Sequence, residues 1–523
     1  MSSDTIKILI AMLGYMTIVI GIGAYFAKRS HENTENYFLG GRSLGPWVTA
    51  MSAEASDMSG WLLMGLPGVA YWCGLADAFW TAVGLAVGTY VNWLIVAKRL
   101  RNYSIVSGDA ITVPDFLSNR FHEKKKVILS ISALFMLVFF TVYAASCFVT
   151  CGKLFSTLFG FSYHSMMMIG ALFVVVYTFL GGFLAESVSD FMQGVVMFCA
   201  LVIVLIFGTV KAGGLDAVMA NAKAIPGFFS LTAMANPVVN AEGVQQVVNG
   251  SPAFGASNPY GWLTILSTLS WGLGYFGVPQ VLLRFMAIRK GSELKRSRRI
   301  ATIWCVISLV AAVYIGLMGR ALFPTNPYLG TESAAENIFI VMSRTLFHPV
   351  VAGIMMAGVL AATISSSDSY LLIASSAFSK NLYEGVFKKN ASDKEVMWVS
   401  RIVLILIALL GAAFAWDEGS IIFEVVSFAW AGFGATFGPI ILFSLFWKRT
   451  NRAGAIAGMI TGGASVFIWK NLLRPLGGAF DIYELLPAFI LSSLAIVLVS
   501  LCTKAPSAEI QEEFEKAKHY NGI

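Results

Sequence analysis

The sequence predicts an all-α polytopic membrane protein with about thirteen transmembrane helices. Of 523 residues, 57% are hydrophobic and only 12% charged, with mean hydropathy +0.73; a soluble globular domain does not have that balance. Apolar runs recur at 6–26, 46–70, 77–97, 127–151, 163–183, 189–210, 261–282, 301–322, 347–379, 401–416, 423–446, 454–473 and 485–503, each about the length of a bilayer crossing. Basic residues gather in alternate connections between these runs, as the positive-inside rule requires.

That alternation sets an orientation. One side collects 28 of the 36 lysines and arginines, beginning with Lys28, Arg29 and Arg42 and ending in the tail from Lys504. The expected topology is an external N-terminus and a cytoplasmic C-terminus, which needs an odd helix count, and thirteen is odd. The net charge of +7 is thereby a topology signal and not a nucleic-acid footprint. The first run is full length and lacks a basic n-region and a cleavage site, so it reads as a retained helix. The six cysteines have neither zinc-like nor disulfide-framework spacing. Neither a Walker A sequence nor an HExxH or GxSxG motif occurs, so the chain reads as a non-enzyme that does not hydrolyse ATP.

Setting aside the first helix (1–45 with its connection) and two accessory helices (448–503) leaves two groups of five, at 46–211 and 261–447. An odd number per group gives the halves opposite orientations. Each group opens on an interrupted helix. In the first, Ser52–Trp61 places Glu54, Asp57, three serines and Gly60 in the middle of an apolar run. A carboxylate at mid-membrane costs at least ~2.5 kcal/mol on insertion scales, so such acids normally face a cavity and a partner. In the second, Ser270–Pro279 is rich in glycine and aromatics. Paired interruptions at corresponding positions point to a transporter's binding site, where broken helices offer backbone groups to an ion and a solute.

Three further segments contribute. Ala361–Tyr370 carries Ser365, Ser366 and Ser367 followed by Asp368 and Ser369 deep in a long span that is expected to tilt or break. Two hydroxyls, with the Ala362 carbonyl one turn earlier, suit a small hard cation; packing hydrogen bonds are the alternative. Asp190 reads equally as an acid at a helix start or as an inward-reaching cation ligand. Trp271, Tyr275 and Pro279, at i, i+4 and i+8, fall on one helical stripe that either packs the core or walls a pocket, with Tyr143 as an aromatic lid. Gly454, Gly458 and Gly462 form a close-packing row. The external connection, 212–260, is expected to hold short helices or a lid, and the tail, 504–523, a short solvated helix.

Phe38-Leu39-Gly40-Gly41-Arg42-Ser43-Leu44-Gly45-Pro46-Trp47, Ala55-Ser56-Asp57-Met58-Ser59-Gly60-Trp61-Leu62 and Trp271-Gly272-Leu273-Gly274-Tyr275-Phe276-Gly277, with Arg284-Phe285-Met286 and Ser375-Ser376-Ala377, resemble the sodium/solute symporter family over roughly residues 6–505. The resemblance is greatest to its proline-carrying branch. It implies a LeuT-like 5+5 inverted repeat in the cell membrane and Na⁺-coupled uptake of L-proline. It also implies a Na⁺ site from the carbonyls of Ala55, Met58 and Ala362 and the hydroxyls of Ser365 and Ser366, supported by Asp57. Ser59, Gly60, Trp61, Tyr143, Trp271, Tyr275, Pro279 and Glu336 correspond to the proline-binding region. Asp190, with Asp368 and Ser369, corresponds to a second Na⁺ position found in some relatives. Glu54 departs from the family pattern and raises proton coupling. The rival expectations are a Na⁺- or proton-coupled symporter of another small amino or carboxylic acid, and a membrane solute sensor, against which the short tail argues.

Overall fold

A computed structural model describes residues 2–30 and 34–520, apart from the side chains of residues 27–30 and 180. Lys28 and Arg29, counted above in the charge bias, therefore have side chains outside the described residues. Among those described, ten helices are long and apolar enough to cross a membrane. Tyr163–Phe179 is apolar but shorter, and the predicted spans 46–70 and 261–282 are each broken into short pieces. The thirteen predicted spans are thus not thirteen long helices.

The long helices that bear on the site are α1 (Ser3–Ser30), α4 (Leu75–Val106, with a π-helical turn at Asn92–Val96), α5 (Val127–Phe159), α7 (Phe183–Lys211), α11 (Leu294–Leu322), α12 (Pro349–Ser376) and α14 (Ile422–Phe446). Between the first two lie α2 (Pro46–Asp57) and α3 (Leu66–Cys73). Pro46 opens α2 in the first turn, where its missing N–H is not needed. After Asp57 the helix stops: Met58 has φ −81° and ψ 73°. The chain resumes as a π-helical turn over Trp61–Gly65 before α3. Ser59 and Gly60 lie in the gap, and both residue types hold a helix weakly.

The second interruption is of another kind. Between α9 (Trp262–Leu269) and α10 (Pro279–Ala287) the chain forms a 3₁₀ segment over Ser270–Phe276. At three residues per turn Trp271 and Tyr275 diverge by about 120°, against about 40° on an α-helix. The predicted stripe of Trp271, Tyr275 and Pro279 does not form. Glycines explain the close approach to α4: a Cβ on Gly272 would stand 2.3 Å from the Gly84 carbonyl, and one on Gly88 would stand 2.3 Å from the Gly272 carbonyl. Segment and α4 meet backbone to backbone. Carbonyls freed by the break find donors, Trp271 O from Trp430 Nε1 at 2.8 Å and Tyr275 O from Asn92 Nδ2 at 2.9 Å.

By contrast α12 runs unbroken through its serines and widens only at Ala377–Phe387, into a π-helical segment. The 212–260 connection forms α8 (Leu215–Ala224) and two short antiparallel pairs, Ala233–Met234 with Asn258–Pro259 and Val247–Val248 with Ser251–Pro252. It is fastened down by Arg320 of α11, which donates to Gln245 Oε1 and to the Tyr71 carbonyl, both at 3.0 Å. The glycine row of α15 (Arg452–Ile468) packs as predicted. A Cβ on Gly454 would meet Ser500 of α16 (Leu485–Cys502) at 2.0 Å, and one on Gly458 would meet Ile496 at 2.2 Å. The tail corrects its expectation: α17 (Ala508–His519) docks on the bundle, burying Phe514 and Ala517.

Candidate functional site

Where α2 ends, its last carbonyls lack intrahelical donors. One of them, Ala55 O, accepts from Ser365 Oγ at 2.8 Å and from Ser366 Oγ at 3.3 Å, both on α12. Ser365 Oγ lies 3.3 Å from the Ala362 carbonyl. Four of the five oxygens assigned to the cation thus gather in one buried cluster at the α2 break, with Met58 following in the unwound link.

Asp57 and Tyr275 join the two interruptions through a hydrogen bond from Tyr275 Oη to Asp57 Oδ2 at 2.8 Å, while Asp57 Oδ1 has no partner among the described residues. The Asp57 carbonyl accepts from Ser59 N at 3.0 Å, Trp61 Nε1 at 3.2 Å and Tyr143 Oη at 3.4 Å. Gly60 has no room for a side chain: a Cβ would stand 2.3 Å from Thr150 Oγ1 on α5. Trp61 and Trp271 rings face each other with centroids 6.3 Å apart, and Trp271 stacks on Tyr483 at 5.2 Å. A cavity of about 560 Å³ opens at the end of the bundle that carries the 212–260 connection. Trp271, Tyr483, Phe423, Asp77 and Glu336 are among its lining residues.

Two assignments sit differently. Glu336 lines that cavity, but its carboxylate accepts from Ile422 N at 2.9 Å and Phe423 N at 3.0 Å, capping α14, and pairs with Lys153 at 2.6 Å. Pro279 starts α10 beyond the break, against a void of about 10 Å³ shared with Thr112, Met136 and Ser376.

Asp190, Asp368 and Ser369 converge around a residue to which the sequence reading gave no role, Arg284 of α10. Its guanidinium reaches Asp190 Oδ2 at 3.1 Å, Ser369 Oγ at 2.8 Å, Ser52 Oγ at 3.0 Å and the Glu186 carboxylate. Three buried acids surround one buried cation, and among the described residues each keeps one unpartnered oxygen: Asp190 Oδ1, Asp368 Oδ2 and Glu186 Oε2. Glu54 faces α4, accepting from Thr89 Oγ1 at 3.2 Å and Trp93 Nε1 at 3.3 Å. Tyr370, also unassigned, lies one turn past Ser366. Its ring stacks on Tyr143 at 4.1 Å, and its hydroxyl is buried without a partner. Four-residue spacing from Ser366 is the signal that could have found it.

Two helices interrupted inside a polytopic bundle, with carbonyls and hydroxyls converging at the first break, define a secondary transporter of the LeuT fold. The chain belongs to the sodium:solute symporter family, whose family model matches residues 37–462. It is 40% identical to the sodium/proline symporter of Salmonella typhimurium, over 98% of this chain and 97% of that relative. It is 42% identical to the high-affinity proline transporter PutP of Bacillus subtilis, over 94% and 97%. Among solved structures, a substrate-bound, outward-open Na⁺-coupled sialic acid symporter superposes with TM-score 0.75 at 19% identity, covering 96% of this chain and 99% of the other. MhsT in complex with L-phenylalanine superposes with TM-score 0.51 at 13% identity, covering 87% and 97%. At these identities the structural likeness speaks for the fold alone.

Proposed function

We propose that this protein is a sodium-coupled importer of L-proline working by alternating access. The observation that carries the ion site is Ser365 Oγ lying 2.8 Å from the Ala55 carbonyl, a contact between helices of the two halves at the point where one is broken. A Na⁺ ion replaces the proton of that hydrogen bond as the electrophile. Ser365 and Ser366 turn their lone pairs inward, and the carbonyls of Ala55, Met58 and Ala362 complete an oxygen-only shell that suits a hard cation. Binding fastens α2 to α12 and steadies the unwound link.

Proline then docks at Ser59 and Gly60, where backbone groups of the link meet its carboxylate and imino group. Its ring lies among Trp61, Tyr143, Trp271 and Tyr275. One charge moving inward through ~100 mV yields ~2.3 kcal/mol, about fifty-fold accumulation before the sodium gradient is counted. The unpartnered oxygens of Asp190 and Asp368 support a second cation seat with Ser369, while the Arg284 guanidinium in the same cluster supports a single-ion cycle. The ratio of ²²Na⁺ to ¹⁴C-proline flux decides between them.

The charge bias supports an external N-terminus and a cytoplasmic C-terminus. In that orientation the 560 Å³ cavity opens outward. The exposed Cys502, at the end of the last apolar helix, reports the orientation: a membrane-impermeant maleimide should label it in inverted vesicles and not in right-side-out ones. Uptake of labelled proline into proteoliposomes, with Na⁺ inside and out varied against K⁺, tests the function. Proline uptake driven by an inward Na⁺ gradient is expected, and uptake indifferent to Na⁺, or failure of excess proline to compete, overturns the reading.

A further inference from the structure

The most elaborate packing outside the site is at the opposite end of the bundle, around α17. Phe514 is buried between two guanidinium groups, with Arg99 Cζ 5.1 Å and Arg120 Cζ 5.3 Å from its ring centroid, and its edge meets Tyr103 at 6.1 Å. Those arginines also bind the end of α14: Arg99 Nε donates to Leu445 O at 2.5 Å and Arg120 Nε to Ser444 O at 3.1 Å. Cations at a helix C-terminus satisfy its orphan carbonyls and its dipole. Arg120 is buried, and among the described residues neither Nη1 nor Nη2 has a hydrogen-bond partner, so the aromatic faces of Tyr103, Phe121 and Phe514 add to the Ser444 carbonyl in stabilising its charge.

This arrangement crosses a seam. Arg99 lies on α4, whose Thr89 and Trp93 hold Glu54 of α2 just before the first break, and Arg120 ends the short helix Val113–Arg120 that follows. The carbonyls they hold belong to α14, whose Trp430 supports the second break. α17 is fastened at both ends of the crossing. Asn451 Nδ2 holds Lys504 O at 2.7 Å and Arg449 Nη2 holds Thr503 O at 2.8 Å in the link from α16 that leads into it. Asn102 Nδ2 holds Tyr520 O at 2.8 Å at its end, and His122 Nε2 lies 2.7 Å from Glu513 Oε2 along its length.

We propose that α17 is a strap across the inner gate, in which Phe514 keeps the Arg99 and Arg120 guanidiniums seated on the end of α14 and so holds the tail end of the bundle shut while the opposite end is open. The inference rests on the alternating-access reading for its consequence, but its test does not need a substrate. Cys73 lines the 560 Å³ cavity, and Ser376 lines the small void beside Pro279 at the start of the helix Val113–Arg120, which ends in Arg120. Two reporters are made in protein lacking the other cysteines, one keeping Cys73 and one carrying Ser376→Cys.

Phe514→Ala should raise maleimide labelling at position 376 and lower it at Cys73, each by roughly five-fold, because loss of the strap shifts the population between the two states. Phe514→Trp should restore the original ratio. Asn102→Ala with Glu513→Gln, which unfastens the strap but leaves Phe514, should shift both labels in the same directions more weakly. That pair decides the matter if Phe514→Ala does not accumulate. Unchanged labelling at both reporters, or a rise at both together, overturns the proposal, since general loosening exposes the two ends alike. A protein with reciprocal labelling but no proline uptake would keep the strap and sink the substrate assignment.

Discussion

The hydroxyl of Tyr275 lies 2.8 Å from Asp57 Oδ2, and this one bond ties the two interrupted helices together at their breaks. Tyr275 sits on the 3₁₀ segment and Asp57 on the last residue of α2. Any change in the seating of the first break, where the proposed Na⁺ ligands cluster, is therefore transmitted to the second, where Trp271 and Tyr275 belong to the proposed solute region.

Tyr275→Phe removes that bond and leaves a buried carboxylate without it. A hydrogen bond to a charged group is worth ~1.5–3 kcal/mol, so half-saturation by Na⁺ in proline uptake should rise about ten-fold or more, with expression unchanged. Sodium activation curves in proteoliposomes measure it, and an unaltered curve would detach Tyr275 from ion binding.

Ser366→Ala deletes one of the five oxygens proposed for the ion, whereas Ser366→Thr keeps the hydroxyl. Alanine should raise the Na⁺ requirement by at least about ten-fold at unchanged protein level, and threonine should stay within about three-fold of the parent. Equal loss of uptake and of membrane protein in both variants would make Ser366 a packing residue.

At Gly60 the limit is space. Gly60→Ala would place a methyl 2.3 Å from Thr150 Oγ1, an overlap neither backbone can relieve cheaply, and overpacking of this kind costs about 1–3 kcal/mol. Uptake should fall roughly ten-fold or more, and adding Thr150→Ala should recover part of it. Absence of any recovery would place the defect in backbone freedom and not in the contact.

Arg284→Met strands Asp190, Glu186 and Asp368 in the interior. Breaking a buried ion pair from one side costs ~3–5 kcal/mol, and a marginally stable protein does not tolerate that. Thermal unfolding in detergent should show a large drop in midpoint or no folded protein, with Arg284→Lys intermediate because a compact ammonium cannot span the four partners that the guanidinium fork reaches. A methionine variant as stable as the parent would mean that the acids are protonated and need no counter-ion.

Much of the architecture is legible in the chain alone because a membrane imposes crude rules. Every span must be apolar over a fixed length, every broken helix must be marked by residues that hold helices weakly, and basic residues sort by side. Hence Ser52–Trp61 and Ser270–Pro279 stand out as interruptions, and Ser365, Ser366 and Ala362 could be nominated together, while Ala55 came only with the family resemblance. The family motifs sharpened these nominations to individual atoms.

Tertiary structure decided what rotation and distance control. A 3₁₀ winding differs from an α-helix by less than one residue per turn, which composition does not encode, yet it separates Trp271 from Tyr275 and puts Pro279 beyond the break. Arg284 lies 94 residues from Asp190 and 98 from Glu186 in the chain, and no local pattern pairs charges so far apart. The tail reads as a polar, solvated helix because eight of the 12 residues of α17 are polar around one aromatic, Phe514, whose burial depends on arginines supplied by α4 and the short helix after it. Sequence determines which groups cannot be left alone in a bilayer; only the folded chain determines which partner each of them finds, because partners are chosen by proximity in space.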